Sequence, residues 1–175
     1  MTRLQIPLTK NKIATLKAGQ QVLLSGSIFT ARDQAHKRLV RFLRKNKKLP
    51  LELKNKIIYY CGPTATPKGK VIGSCGPTTS SRMDVFVEVI MKEGLLGMIG
   101  KGRRAKHVRD IIKKYRGVYF IAPGGCGALL ATRVVMKKIV CFKDLGPEAI
   151  CELEIKDFPL IVGIDTHGKD IYAQP

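Results

Sequence analysis

Apolar residues along this chain come in short bursts whose spacing switches back and forth between that of a strand and that of a helix. Gln21-Val22-Leu23-Leu24-Ser25-Gly26 predicts a strand that stops at glycine, with Ser27-Ile28-Phe29 leading into a helix start. Lys56-Ile57-Ile58-Tyr59-Tyr60 predicts a second strand, Leu95-Leu96-Gly97-Met98-Ile99 a third, and Gly117-Val118-Tyr119-Phe120-Ile121-Ala122-Pro123 a buried fourth. Between them lie helical stripes: Ala31, Ala35, Leu39, Phe42 and Leu43 behind a Thr30-x-x-Asp33 capping box; Met83, Phe86, Val87, Ile90 and Met91 behind Ser81-x-x-Asp84. Val108, Ile111, Ile112 and Tyr115 mark a basic helix, and Ala128, Leu129, Val134, Val135 and Ile139 suggest another. Residues 149–155 and 158–164 read as two strands bridged by Lys156-Asp157 and ending in an Asp165-Thr166-His167-Gly168 turn. Residues 4–17 suit an edge strand or an arm packed on a partner. No linker or low-complexity segment interrupts this alternation, so the expectation is one α/β domain over residues 1–175.

Composition adds one unusual quantity. Lys and Arg number 32 against 13 Asp and Glu, a net charge of +19, which implies an acidic partner: nucleic acid, a small polyanionic substrate or an acidic subunit. An aromatic content of 6%, no Trp and no zinc-finger or RNP-type signature argue against nucleic acid. The five cysteines, at 61, 75, 126, 141 and 151, include no Cys-x-x-Cys pair and signal neither a zinc site nor a disulfide framework. With no run of about 18 apolar residues and no signal-peptide core at the N-terminus, the expectation is a soluble, cytoplasmic protein without a membrane partner.

Candidate chemistry concentrates in Gly73-Ser74-Cys75-Gly76-Pro77-Thr78-Thr79-Ser80-Ser81-Arg82-Met83-Asp84. Two glycines, a proline, four consecutive hydroxyls and an arginine precede an apolar run there. The stretch reads equally as a capped helix after a turn or as an anion-facing loop, since a helix start offers unpaired N–H groups. Cys61-Gly62-Pro63-Thr64 echoes Cys75-Gly76-Pro77-Thr78, too briefly to establish a repeat. Gly100-Lys101-Gly102 has the wrong glycine spacing for a nucleotide-binding loop and leaves a single ammonium at a strand end. Gly124-Gly125-Cys126-Gly127 forms a tight turn that serves backbone packing as readily as ligand contact. Arg32 and His36, four apart, share a helix face.

Taken in order, six of these segments resemble the C-terminal domain, or separate β subunit, of the class I fumarate hydratase and L(+)-tartrate dehydratase family. They are Ser25-Gly26 through Ala31-Arg32-Asp33-Gln34-Ala35-His36-Lys37; Tyr59-Tyr60-Cys61-Gly62-Pro63-Thr64; residues 73–84; Met98-Ile99-Gly100-Lys101-Gly102; Gly124-Gly125; and Asp144-Leu145-Gly146-Pro147-Glu148-Ala149. The resemblance runs over nearly the whole chain and departs at Cys126, Gly127 and Cys151, which read as packing changes.

What the resemblance implies is a swivelling β/β/α fold working against another subunit that holds a 4Fe-4S cluster through three cysteines, one iron staying open to the substrate. The cysteines here do not match that cluster motif, so the implied assembly is an α2β2-type heteromer in which a separate α subunit carries the cluster and this chain carries no metal. The implied activity is a hydro-lyase, present only with the α subunit: reversible hydration of fumarate to (S)-malate, a tricarboxylic acid cycle step, with L(+)-tartrate dehydration to oxaloacetate as the alternative. A basic nucleic-acid-binding module is a distant third reading, motivated by the net charge alone. By resemblance, Arg32, Arg82 and Lys101 bind the substrate carboxylates, a task that suits a bidentate guanidinium fork and an ammonium point charge. Thr78 is the implied catalytic residue, as base or as hydrogen-bond donor, with Asp33, His36 and Thr79 in support.

Overall fold

Residues 1–173 are described by the structure, a computed structural model. Its organising feature is a ring of strands. β2 (Gln21–Thr30), β3 (Ile57–Tyr59), β4 (Gly97–Gly100) and β5 (Val118–Ile121) run parallel to their neighbours in that order. The long β7 (Ile150–Ile164) is antiparallel to both β5 and β2 and thereby closes a five-strand mixed barrel. β1 (Thr2–Gln5) extends the sheet beside β2, and β6 (Val134–Cys141) extends it beside β7. The alternation of side chains along each strand divides the core in two. Val22, Leu24, Ile28, Tyr59, Ile99, Phe120, Leu153 and Phe158 form one cluster. The opposite face, with Phe29, Ile58, Tyr60, Met98 and Tyr119, is covered by α2 (Asp33–Arg44), α3 (Val87–Lys92) and α4 (Lys106–Tyr115). Two five-residue helices, α1 (Lys10–Ala14) and α5 (Gly127–Ala131), send Ile13 and Leu130 into the first cluster.

The mixed α/β class and most elements follow the hydrophobic pattern, and the exceptions have local causes. β2 does not stop at Gly26 but continues to Thr30 past a register shift against β7 between Leu24 and Gly26, and the φ of +115° and missing side chain of Gly26 let Ile6 pass, since a Cβ there would lie 2.7 Å from the Ile6 Cβ. The stripe expected as a helix over Ala128 to Ile139 is split: α5 ends at Ala131 and the β-branched run from Val134 pairs with β7. The two strands expected over 149–155 and 158–164 are one, Ile150–Ile164, bent at Asp157 (φ +47°), whose one edge passes from β6 to β5 while the other stays on β2. Neither capping box forms. Thr30 Oγ1 accepts the Cys151 N–H at 3.1 Å, and Ser80–Phe86 is a 3-10 segment without a side-chain cap, followed by α3.

Candidate functional site

Four parallel strands end on one rim, and the motif segments begin where they end. Arg32 follows the carboxyl end of β2 by two residues, Tyr60-Cys61-Gly62 leaves β3, Lys101 leaves β4, and Ala122-Pro123-Gly124 leaves β5. Ligand sites in parallel sheets gather at this end because loops, not strands, present their backbone groups there. The long loop after β3 returns to the same rim: Thr78 N–H donates to Tyr60 O at 2.7 Å, Thr79 bridges Lys101, and Ser80 N–H donates to Lys101 O at 3.0 Å. Gly76 and Gly127 let this loop pack on the α5 turn, where Cys75 N–H reaches Gly127 O at 3.1 Å and a Cβ on Gly127 would sit 2.9 Å from Gly76 N. These contacts bring Thr78, Thr79, Arg82 and Lys101 to one rim.

Arg32 joins them from the other side. Its guanidinium lies across Gly62, and its Nε stands 3.5 Å from Glu148 Oε1, close enough for an ion pair but outside any hydrogen bond. Glu148 Oε2 accepts the Gln34 N–H at 3.3 Å, so this carboxylate is tied to the first turn of α2 while it faces Arg32. Arg82 is held by Asp33 in a two-point fork, Nε to Oδ1 at 3.2 Å and Nη2 to Oδ2 at 2.5 Å. Asp33 therefore joins α2 to the Ser80–Phe86 segment and sits favourably in the first helical turn. Each of these two arginines thus has a carboxylate beside one of its edges, while Arg82 remains about half exposed (49% of its side chain). Lys101 stands half-buried between Thr79 and Gly124, with its Cδ 3.9 Å from where a Gly124 Cβ would be.

His36 stands apart from this chemistry. It is 2% exposed, stacked on Phe86 at 5.7 Å and edge-on to Tyr60 at 5.4 Å, with Nδ1 2.8 Å from Arg32 O. Because a carbonyl can only accept, Nδ1 carries the proton. Burial lowers the imidazole pKa to about 4, against a smaller opposing effect of that backbone bond. His36 is accordingly a neutral strut that fixes the backbone at Arg32. Thr78 is half-buried, and among the described residues no imidazole or carboxylate bonds to its hydroxyl.

Three groups escaped the sequence reading. Glu148 lay inside a quoted motif without a role. Tyr60 is a hub whose carbonyl holds Thr78, whose N–H reaches Ile99 O at 2.8 Å, and whose ring touches His36. Asp84, expected as a cap for its own helix, instead accepts from Arg104 Nε at 2.6 Å and from Ala105 N–H at 2.8 Å, both beyond β4. No local sequence signal marks this pairing, because the two charges are 20 residues apart.

Cys61 and Cys75 are 1% and 0% exposed, and burial pushes both thiols up, Cys75 to about 11, so they stay protonated. Among the described residues no three His, Cys, Asp or Glu side chains converge as metal ligands, and no helix is long and apolar enough to cross a membrane.

Residues 1–175 match the family model described as "Fumarase C-terminus". The chain is 45% identical over 173 residues to a Methanocaldococcus jannaschii protein provisionally named L(+)-tartrate dehydratase subunit beta, covering 95% of this chain and 89% of that one. It is 34% identical over 176 residues to the Escherichia coli L(+)-tartrate dehydratase subunit beta, covering 98% and 86%. With fumarate hydratase 2 of Leishmania major it shares 36% identity over 168 residues, which is 94% of this chain but 29% of that enzyme.

Proposed function

This chain belongs to the Fumarase C-terminus family, and from that premise we propose that residues 1–175 act as one β-type unit of a hydro-lyase, grasping a C4 dicarboxylate for a catalytic α subunit. The observation that carries the reading is the gathering of Arg32, Arg82 and Lys101 on one rim at the carboxyl ends of parallel strands. A dianion held by two planar forks and one ammonium is fixed in orientation as well as position. Fixed donors at the carboxylate also favour the charge that develops there when the neighbouring carbon loses its proton.

Two substrates compete. Dehydration of L(+)-tartrate, which releases water and yields oxaloacetate, takes precedence because two relatives bearing the tartrate dehydratase β-subunit name are covered almost end to end. Reversible hydration of fumarate to (S)-malate comes second, supported by fumarate hydratases of which this chain spans under a third. The order given with the family resemblance, fumarate first and tartrate as the alternative, is thereby reversed.

The partner in this proposal is a separate α subunit in a cytoplasmic α2β2-type assembly, and it holds the 4Fe-4S cluster, since among the described residues of this chain no three His, Cys, Asp or Glu side chains converge. This chain's own work is then carboxylate handling. Arg82 presents the fork edge that Asp33 leaves free, Lys101 supplies a point charge, and Arg32 closes over Gly62 from the opposite side. Thr78 donates its hydroxyl hydrogen to the substrate. A threonine hydroxyl without a neighbouring base is poorly suited to remove a proton, so Thr78 acts as base only with groups brought by the α subunit.

The test is anaerobic co-expression with an α-type partner and assay on L(+)-tartrate, malate and fumarate. Turnover of one of these, lost at least 100-fold in kcat/KM on Arg82→Ala or Lys101→Ala, is the expected result. Turnover that survives both substitutions within a few-fold refutes the site. A complex inert on all three but bound to nucleic acid with a steep salt dependence restores the basic-module reading.

A further inference from the structure

The two site cations on neighbouring segments, Arg82 and Lys101, are each followed within three residues by a member of one buried ion pair. Asp84 and Arg104 are 6% and 7% exposed, and the Arg104 side chain has no accessible surface. The guanidinium lies between the rings of Tyr119, 4.8 Å away, and Tyr60, 5.4 Å away, with Nε on Asp84 and Nη2 buried without a partner. The second oxygen of Asp84 accepts the Ala105 N–H. A second tie runs beside it: Tyr119 O–H donates to Gly102 O at 3.0 Å, so the Ser80 hydroxyl donates to the Tyr119 oxygen at 2.9 Å.

The segments 79–84 and 101–105 are therefore joined at three levels: backbone at Thr79, Ser80 and Lys101, the hydroxyl relay at Tyr119, and the ion pair at Asp84. Arg82 lies between the first and last of these on one segment, and Lys101 sits at the first on the other. Gly102, with φ +80° and nothing within 4 Å of where its Cβ would be, has its carbonyl held by Tyr119 and lies between the Lys101 pairing and the Arg104 ion pair. A buried ion pair is a poor way to gain stability alone, because an apolar pair of similar volume usually serves as well or better. What an ion pair adds is a fixed direction and separation.

We propose that Asp84, Arg104 and Tyr119 are positioning residues that set the spacing between Lys101 and Arg82, and with it the preference of the site for a four-carbon dicarboxylate over a monocarboxylate. All three are buried, Asp84 at 6%, Arg104 at 7% and Tyr119 at 1% exposed. The inference rests on the dicarboxylate reading above and extends it to specificity.

The distinguishing readout is selectivity, since general loosening of the fold weakens all anions together. Succinate and butyrate have the same chain length and differ by one carboxylate. Their affinities are measured by calorimetry on the assembled complex for the wild type, Tyr119→Phe, Asp84→Asn and the double variant Asp84→Leu/Arg104→Met. Tyr119→Phe deletes only the relay hydroxyl and keeps the ring under Arg104, so it reports even if the core variants do not assemble. The expected result is that the wild type prefers succinate, and that the ratio of succinate to butyrate affinity falls at least fivefold in Tyr119→Phe and tenfold or more in whichever of the others assemble, with butyrate binding changed less than twofold. An unchanged ratio in Tyr119→Phe or in an assembled core variant, or equal weakening of both anions, overturns the proposal. A wild-type complex without preference for succinate overturns the dicarboxylate reading itself, before any variant is compared.

Discussion

Gly62 has no side chain, and the position of Arg32 depends on that. An alanine Cβ there would lie 2.7 Å from Arg32 Nη1, 2.8 Å from its Cδ and 3.1 Å from Pro147 O. Ordinary contact begins near 3.4 Å, so the guanidinium must withdraw by about 0.7 Å and the Pro147 carbonyl by a few tenths. An arginine arm yields more readily than the barrel, so Gly62→Ala should lower stability by only about 1 kcal/mol, the mild end of overpacking. Its effect on function should be larger. Displacing a substrate-positioning group by close to 1 Å costs up to about 100-fold in rate, and for this shift we expect about tenfold in kcat/KM, or about 1.4 kcal/mol of transition-state stabilisation. The assay is steady-state kinetics of the α–β complex on its preferred dicarboxylate, alongside thermal unfolding. Gly124→Ala is the control, because its Cβ would meet only Lys101 Cδ at an ordinary 3.9 Å. If Gly62→Ala keeps kcat/KM within about twofold while Arg32→Ala is crippled, the pose of Arg32 over Gly62 is not the working one.

Two further outcomes follow from buried contacts. The His36 pKa is about 4 in the fold against an ordinary imidazole value of 6.5, so between those values the unfolded chain binds more protons and stability falls as pH drops. The loss reaches about 3 kcal/mol near pH 4; urea titrations from pH 7 to 4 should show this slope in the wild type and lose it in His36→Phe, and an unchanged slope removes His36 as its source. Gly100→Ala should destabilise by about 3 kcal/mol, because its Cβ runs into Ser80 Oγ and comes 2.9 Å from the Tyr60 ring; a melting temperature within a degree or two of wild type contradicts that packing.

The sequence shows the members of the candidate site more clearly than their pairings. Arg32, Arg82, Lys101 and Thr78 stood in motifs whose order and spacing could be matched, and the structure places all four on the strand-end rim. Capping was misjudged because a Ser-x-x-Asp pattern is local, whereas the Asp84 carboxylate is claimed by Arg104, 20 positions away and far closer in space. The helix drawn through Val134 to Ile139 failed for a similar reason. Apolar spacing alone does not separate a helix from an edge strand, and pairing with β7 decided it.

Short-range facts are legible in the chain alone: alternating periods that demand an α/β fold, glycines where the chain turns tightly, and cationic residues at the ends of apolar runs. Tertiary structure alone decided which carboxylate each cation faces. Asp33 rather than a neighbour on its own segment holds Arg82, Glu148 stands by Arg32, and Asp84 crosses to Arg104. Charge attracts charge at any sequence separation, so these pairings exist only once the barrel closes and brings the strand ends onto one rim.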